Sequence, residues 1–220
     1  MLKDKEMREP LFDYLEEFYG KIRILEEKNA GSSRADVIAV IDGALIGLEI
    51  KSDHDSYTRL KTQTADYDLY CDYCYLVIGR SHLLHAHEHI PDHWGILVVQ
   101  EEEDGQIHVR MDQLPARNTQ VDLARQLAFL WRPELASLLA MNDLPAYKAK
   151  SKQFVRDTLL ERVEAERLKN QITQLLFERD YELLLAQIRQ VREEQAARRG
   201  KRLRSSLPKR TKKKRRRRSS

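Results

Sequence analysis

Residues 34–51 read RADVIAVIDGALIGLEIK, two apolar runs on either side of Asp42-Gly43. An Asp-Gly pair between such runs is a strong local signal for a two-residue hairpin turn, because the favoured turn needs positive φ at its central positions. Ile41 then faces Ala44, and every cross-strand pair keeps the same sum of residue numbers, 41 and 44 giving 85. Asp36 falls opposite Glu49 and Arg34 opposite Lys51. Directly opposed side chains share a face with Cβ atoms about 5 Å apart, and Lys51 shares the face of Glu49 by the strand period of two. Two carboxylates and a lysine converge at one end of a hairpin.

Both runs are apolar on both faces, as expected of strands covered on both sides. Burying an unpaired charge there costs several kcal/mol. A divalent metal held by Asp36 and Glu49 would relieve that cost, polarise a phosphate and supply a hydroxide nucleophile. Lys51 would then position the attacking water and balance charge in the transition state. The same spacing also suits a plain acid–lysine ion pair capping the hairpin end.

Outward from the hairpin, residues 4–19 place Met7, Leu11, Tyr14, Leu15 and Phe18 at helical spacing before Gly20, and KIRILEE (21–27) reads as a strand. After it come a helix over 55–71, a buried strand CYLVIG (74–79), a short helix SHLLHAHEH stopped by Pro91, a strand WGILVVQ (94–100) and a weaker strand at QIHVRM. The expected fold class is α/β: an α-β-β-β-α-β core with a mixed sheet flanked by helices. Beyond Pro115 only helices are expected: Val121–Trp131, Pro133–Met141, one through Phe154–Val163, and a long amphipathic one over 164–195. The chain divides on this reading into 1–115, 116–197 and 198–220.

Asp36, twelve intervening residues, then Glu49-Ile50-Lys51 resembles the D…ExK signature of the PD-(D/E)xK nuclease superfamily, whose restriction-endonuclease-like core has the same element order. Gln63 and Tyr67 resemble the QxxxY element of its RecB-like members, and the longer string through residue 100 is similar to a family of small, uncharacterised bacterial proteins placed there. The resemblance implies a metal-dependent nuclease, with DNA as the expected substrate. Asp36, Glu49, Lys51, Gln63 and Tyr67 would form its site, with Mg²⁺ or Mn²⁺ on Asp36 and Glu49. The superfamily usually adds an acid from the first helix or strand, for which Glu9 and the Glu26-Glu27 pair are candidates. Ala35 stands where a proline is usual. Arg34 is placed to contact a phosphate or to be an ordinary strand-start arginine. Asp53 and Asp55 match acidic positions of the small bacterial family and equally suit a helix N-cap. The alternative is a catalytically silent relative that binds DNA or acts as an adaptor.

The stretch FLWRPELASLLAMNDLPAYKAKSKQFVRDTLLERV resembles a SAP-like helical pair, with Leu135 and Leu139 on Val155 and Leu159. The resemblance implies backbone contacts near the turn, where Lys148, Lys150, Lys152 and Arg156 cluster; an oligomerising or structural pair fits the pattern as well.

Charge separates along the 220 residues. Residues 198–220 hold 14 of the 39 Lys and Arg and no acid, leaving 25 bases against 35 acids, or −10, in the rest. That tail, with Lys212, Lys213, Lys214, Arg215 and Arg216 at its centre, has no apolar periodicity and is expected to be disordered until it meets a nucleic acid. No apolar run reaches the length of a membrane span, and MLKDKEMREP lacks a signal peptide's apolar stretch. A cytoplasmic protein, associated with the nucleoid, without membrane contact, is expected. Cys71 and Cys74 have CxxC spacing without a second pair, so structural thiols are expected rather than zinc or a redox pair. His82, His85, His87, His89 and His93 read as solvated helix histidines, His82 as a cap, although His85 and His89 have a spacing that grips zinc on a helix.

Overall fold

The computed structural model describes the backbone of residues 1–206 and, Glu27 apart, the side chains of residues 1–193. Residues 1–179 form one compact unit and the chain from Asp180 a second. The first unit runs α1 (Asp4–Tyr19), β1 (Arg23–Ala30), β2 (Ser33–Ile41), β3 (Ala44–Lys51), α2 (Leu60–Tyr70), β4 (Tyr73–Gly79), β5 (Gly95–Glu101) and β6 (Ile107–Gln113). Then come α3 (Leu123–Gln126), α4 (Arg132–Met141), α5 (Lys152–Arg162) and α6 (Ala165–Phe177). Among the described residues the sheet has six strands in sequential order. Neighbours are antiparallel except β3–β4 and β4–β5, which are parallel. This is a mixed α/β fold. The boundary expected at residue 115 falls inside the first unit, because α6 packs on β2 and β3.

The two sheet faces account for the apolar pattern. Met7, Leu11 and Leu15 of α1, fully buried, cover Val37, Ala39, Ile46, Leu48, Val77 and Leu97. Each such side chain contributes about 1.5–3 kcal/mol. The opposite face carries Ile38, Val40, Leu45, Leu76 and Ile78 under α2 and the later helices. Leu135, Leu139, Val155 and Leu159 join that same core, with α4 against α5. A buried ion pair ties the helices down: Lys169 of α6 meets Asp72, whose carboxylate also accepts the Leu45 N–H at 2.9 Å and Gln126 Nε2 at 3.1 Å.

Several local expectations change in the folded chain. The 80–94 crossover holds 3₁₀ turns at Arg80–His82 and Ala86–His89 instead of an α-helix. Ala86 is the one buried residue in those turns, so no amphipathic face holds a helix against the sheet. The helix expected over 55–71 begins only at Leu60. The Val121–Trp131 helix shrinks to α3 and a 3₁₀ turn at Leu127–Phe129, with Leu130 extended ahead of α4 and its Pro133. The long 164–195 helix is broken after Phe177. There Arg179 makes a buried, two-pronged ion pair with Glu134, and Arg23 donates Nη2 to the Arg179 carbonyl at 2.7 Å and Nη1 to the Phe177 carbonyl at 3.3 Å.

In the second unit α7 spans Tyr181–Ser206, with Asp180 capping the Leu183 N–H at 3.0 Å. Residues 198–206, expected to be disordered, are helical. The core of the basic tail, with Lys212, Lys213, Lys214, Arg215 and Arg216, lies outside the described residues. No helix among the described residues is long and apolar enough to cross a membrane.

Candidate active site

The hairpin register matches the turn arithmetic: Ile41 pairs with Ala44, Val40 with Leu45 and Val37 with Leu48. The ladder stops there. Asp36 and Glu49 are therefore not a ladder pair, and Arg34 pairs with Asn29 on β1, not with Lys51. The cause is a side-chain insertion. The Asp36 N–H donates to Tyr67 Oη at 2.9 Å, and that hydroxyl donates to the Leu48 carbonyl at 3.1 Å. Asp36 Oδ2 meanwhile accepts the Ile50 N–H at 3.0 Å. The strands part, yet their main-chain groups stay satisfied.

Gly47 makes this insertion possible. A Cβ at that position would stand 2.4 Å from Tyr67 Cδ1 and 2.8 Å from Cys71 Sγ. With only hydrogen there, the ring packs closely on β3 and its hydroxyl reaches the gap between the strands. Cys71 and Cys74 are buried free thiols, and burial pushes the Cys74 thiol well up, as suits structural cysteines.

Glu49 and Lys51 lie on the β3 face beneath α2, one strand period apart. Glu49 Oε1 accepts Lys51 Nζ at 2.6 Å and Gln63 Nε2 at 2.5 Å, while Lys51 Nζ also donates to Gln63 Oε1 at 3.1 Å. Gln63 thus clamps the acid and the base together from the helix. Glu49 Oε2 is shielded from solvent and has no hydrogen-bond partner. Burial, then the charge of Asp36, pushes the Glu49 carboxyl from 4.5 up to about 7, against the pull of Lys51. Burial also raises Asp36.

Asp36 and Gln63 open onto a cleft of about 690 Å³ whose wall includes Asp4, Arg8, Arg34 and Arg59. Of the acids expected from the first helix or strand, Glu9 and Glu26 do not join, and the Glu27 side chain lies outside the described residues. Glu26 is held by Arg8 at 2.8 Å, and Glu9 lines a separate groove with Asp13, Glu17 and Ile107. Asp4 stands in the cleft instead, paired with Arg8, and its charge reaches Asp36. The sequence signal for that pair was its i,i+4 spacing on α1; Arg59 carried no signal beyond standing next to α2.

Among the described residues no group of three or more His, Cys, Asp or Glu side chains is arranged to hold a metal ion. The donor set is two carboxylates. It fits Mg²⁺, which is commonly held by one or two carboxylates plus water and substrate phosphates, and the partnerless Glu49 Oε2 is the acceptor such an ion would take. Asp53 accepts the Leu2 N–H at 2.8 Å and the Ser81 hydroxyl at 2.6 Å, and Asp55 caps the Ser52 N–H at 2.8 Å, so both are structural. The histidines disperse: His82 bonds the Ser52 carbonyl, His85 meets Glu88, His87 meets Gln113, His89 stacks near Tyr57 and His93 meets Asp68. Near α5, Lys148 is exposed, Lys150 lies over the Phe154 ring at 5.0 Å, and Lys152 and Arg156 are half-buried.

The family model for bacteriophage P4 protein cII matches residues 2–197, and the chain belongs to that family. No curated protein matches. Among solved structures, SPO1766, a protein of unknown function from Silicibacter pomeroyi, is 16% identical with a TM-score of 0.43, over 57% of this chain and 79% of its own. Pyrococcus furiosus SfsA in complex with Ca²⁺ is 18% identical with a TM-score of 0.33, over 54% of this chain and 63% of its own.

Proposed function

We propose that this member of the bacteriophage P4 protein cII family is a metal-dependent nuclease that hydrolyses phosphodiester bonds, with DNA as its substrate, on a core of the PD-(D/E)xK type. The observation that carries the reading is Glu49. It is a fully buried carboxylate with one oxygen clamped by Lys51 and Gln63 and the other without a partner, at the end of a strand gap that also holds Asp36. A cleft bearing three arginines adjoins it, suited to a phosphate backbone.

Asp36 and Glu49 would hold Mg²⁺ or Mn²⁺, which when bound supplies Lewis acidity and lowers the pKa of water. Lys51 has three N–H donors, and Glu49 and Gln63 take two of them. The third is free to meet a phosphate oxygen or the attacking water. Gln63 fixes the direction of both partners, and Tyr67 holds the strand gap open. The Glu49 carboxyl must lose its proton to bind a cation, so cation affinity is expected to strengthen as pH rises through about 7, with a proton released on binding below that pH.

A second reading, a silent DNA-binding relative, is favoured by one feature: Lys51 and Gln63 already satisfy Glu49 Oε1. Cleavage of mixed single- and double-stranded DNA and RNA, with and without Mg²⁺ or Mn²⁺, decides between them when Lys51→Ala is run alongside. Metal-dependent cleavage by the wild type and none by Lys51→Ala supports the nuclease. Nucleic-acid binding without cleavage under any metal supports the silent relative.

A further inference from the structure

Glu49 and Lys51 stand behind the cleft and not on its wall. Glu49 is fully buried and Lys51 is 6% exposed beneath α2, while Asp36 and Gln63 are the members of the site that line the opening. A phosphate that reaches the Lys51 ammonium or the partnerless Glu49 Oε2 must pass into the cleft to its full depth. Three segments surround it: α1 with Asp4 and Arg8, the β1–β2 turn with Ser32 and Ser33 leading to Arg34, and the start of α2 with Arg59 and Thr62.

These walls are braced. Asp66 Oδ2 accepts the Ser32 hydroxyl at 2.8 Å and the Ser33 hydroxyl at 2.6 Å, and Tyr70 Oη accepts the Gly31 N–H at 2.9 Å, so α2 holds the turn. Gly31 has φ of 61°, and a Cβ there would strike Asp66 Oδ1, so glycine is what lets the turn come this close. On the other side Arg8 Nη1 ties α1 to Glu26 of β1 at 2.8 Å, and the Leu2 N–H just ahead of α1 donates to Asp53 Oδ2 at 2.8 Å. An opening held on both sides does not widen to fit a thick ligand.

The ligand must then be narrow. In a duplex each backbone is fixed to the outside of a stiff cylinder, with a persistence length of about 50 nm, and a phosphate cannot leave that surface for a walled cleft while its bases stay paired. A single strand bends freely and can lead one phosphate down to Lys51 while its neighbours stay at the rim. Arg8 is engaged by Asp4 and Glu26, but the exposed Arg59 side chain has no hydrogen bond or ion pair among the described residues. It is the cation at the rim that is open to a phosphate.

We propose that the Asp36–Glu49 site takes single-stranded DNA, as a free strand or an unpaired end, and excludes the interior of an intact duplex, with Arg59 gripping a phosphate next to the one at Lys51. The inference rests on the nuclease reading in taking Glu49 and Lys51 as the groups that the substrate must reach.

The 14 positive charges of residues 198–220 are expected to draw any polyanion, so overall affinity does not report on the cleft. The test therefore places a thiol in the cleft of the full chain with Thr62→Cys, an exposed position; Cys71 and Cys74 are buried and do not compete. In EDTA, disulfide cross-linking is timed to an oligonucleotide carrying an activated thiol tether on one internal phosphate. It is presented as a single strand, as a blunt duplex, and as a duplex with that phosphate in an unpaired overhang. The single strand and the overhang should cross-link about 10-fold or more faster than the blunt duplex, and adding Arg59→Gln should slow the single strand about 5-fold without changing the duplex rate. In parallel the wild type is given Mn²⁺ and the same three substrates without tethers. Cross-linking of the blunt duplex as fast as the single strand, or cutting inside it at a matching rate, overturns the proposal while cleavage leaves the nuclease reading standing. A single-strand rate unmoved by Arg59→Gln overturns the role of Arg59. Preferential cross-linking of the single strand with no cleavage of any substrate supports a single-strand cleft and overturns the nuclease reading instead.

Discussion

Replacing Glu49 by Gln should make the metal-free protein more stable while abolishing cleavage, and the gain should depend on pH in a defined way. Below about pH 4.5 the carboxyl is neutral in both the folded and the unfolded chain. Between 4.5 and about 7 the unfolded chain releases its proton while the folded one keeps it, so folding weakens as pH rises. Above 7 the loss is complete. At about 1.36 kcal/mol per pH decade, the span from 4.5 to about 7 is worth about 3 kcal/mol. Gln mimics the protonated acid. Its amide oxygen can still accept Lys51 Nζ and Gln63 Nε2, and its NH₂ replaces Oε2, which accepts nothing, so no hydrogen bond is lost, while the extra buried N–H carries a cost that does not vary with pH. For a unit of this size that span corresponds to a rise of about 6–12 °C in the variant's melting temperature relative to the wild type between pH 4.5 and pH 8. Thermal melting of both proteins from pH 4 to 8, without and with Mn²⁺, is the assay. Mn²⁺ should raise the melting temperature of the wild type and leave the variant unmoved. A variant that melts at or below the wild type at pH 8, or a difference that stays flat across pH, refutes the account of Glu49.

Gln63→Ala removes both bonds of a half-buried clamp, so stability should fall by only about 1 kcal/mol while cleavage per folded molecule falls 100-fold or more; a larger loss of stability with unchanged turnover would make Gln63 a packing residue. Tyr67→Phe strips the hydroxyl from the Asp36 N–H and the Leu48 carbonyl and should cost about 1–3 kcal/mol in urea unfolding. Lys169→Ala leaves Asp72 charged and buried without its partner and should cost about 3–5 kcal/mol, measured the same way; a change under 1 kcal/mol would show that the helices are held by apolar contacts alone. Removing residues 198–220 takes away 14 positive charges and should weaken DNA binding by orders of magnitude at low salt with a shallower salt slope, leaving turnover at saturating substrate nearly unchanged. Equal affinities and slopes would place the nucleic-acid contact within residues 116–197.

The residues at the hairpin were legible because their signals are local. A two-residue Asp-Gly turn fixes the register, and a period of two sets the face, so Glu49 and Lys51 had to be neighbours on one side of β3. Gln63 and Tyr67, one turn apart on α2, followed from the helical period. The family resemblance added the chemistry expected of them. What the sequence left open depends on meetings between distant segments. Glu9 and Asp4 both lie on α1, and only the way Met7, Leu11 and Leu15 seat that helix on the sheet turns Asp4 toward Asp36 and Glu9 toward β6. The end of the β2–β3 ladder depends on a tyrosine lowered onto a glycine of the facing strand. The break after Phe177 depends on Arg179 reaching Glu134, and the seat of α6 on Lys169 reaching Asp72. A period describes one element; an ion pair between residues 72 and 169 exists only after the chain has folded both into the same buried space.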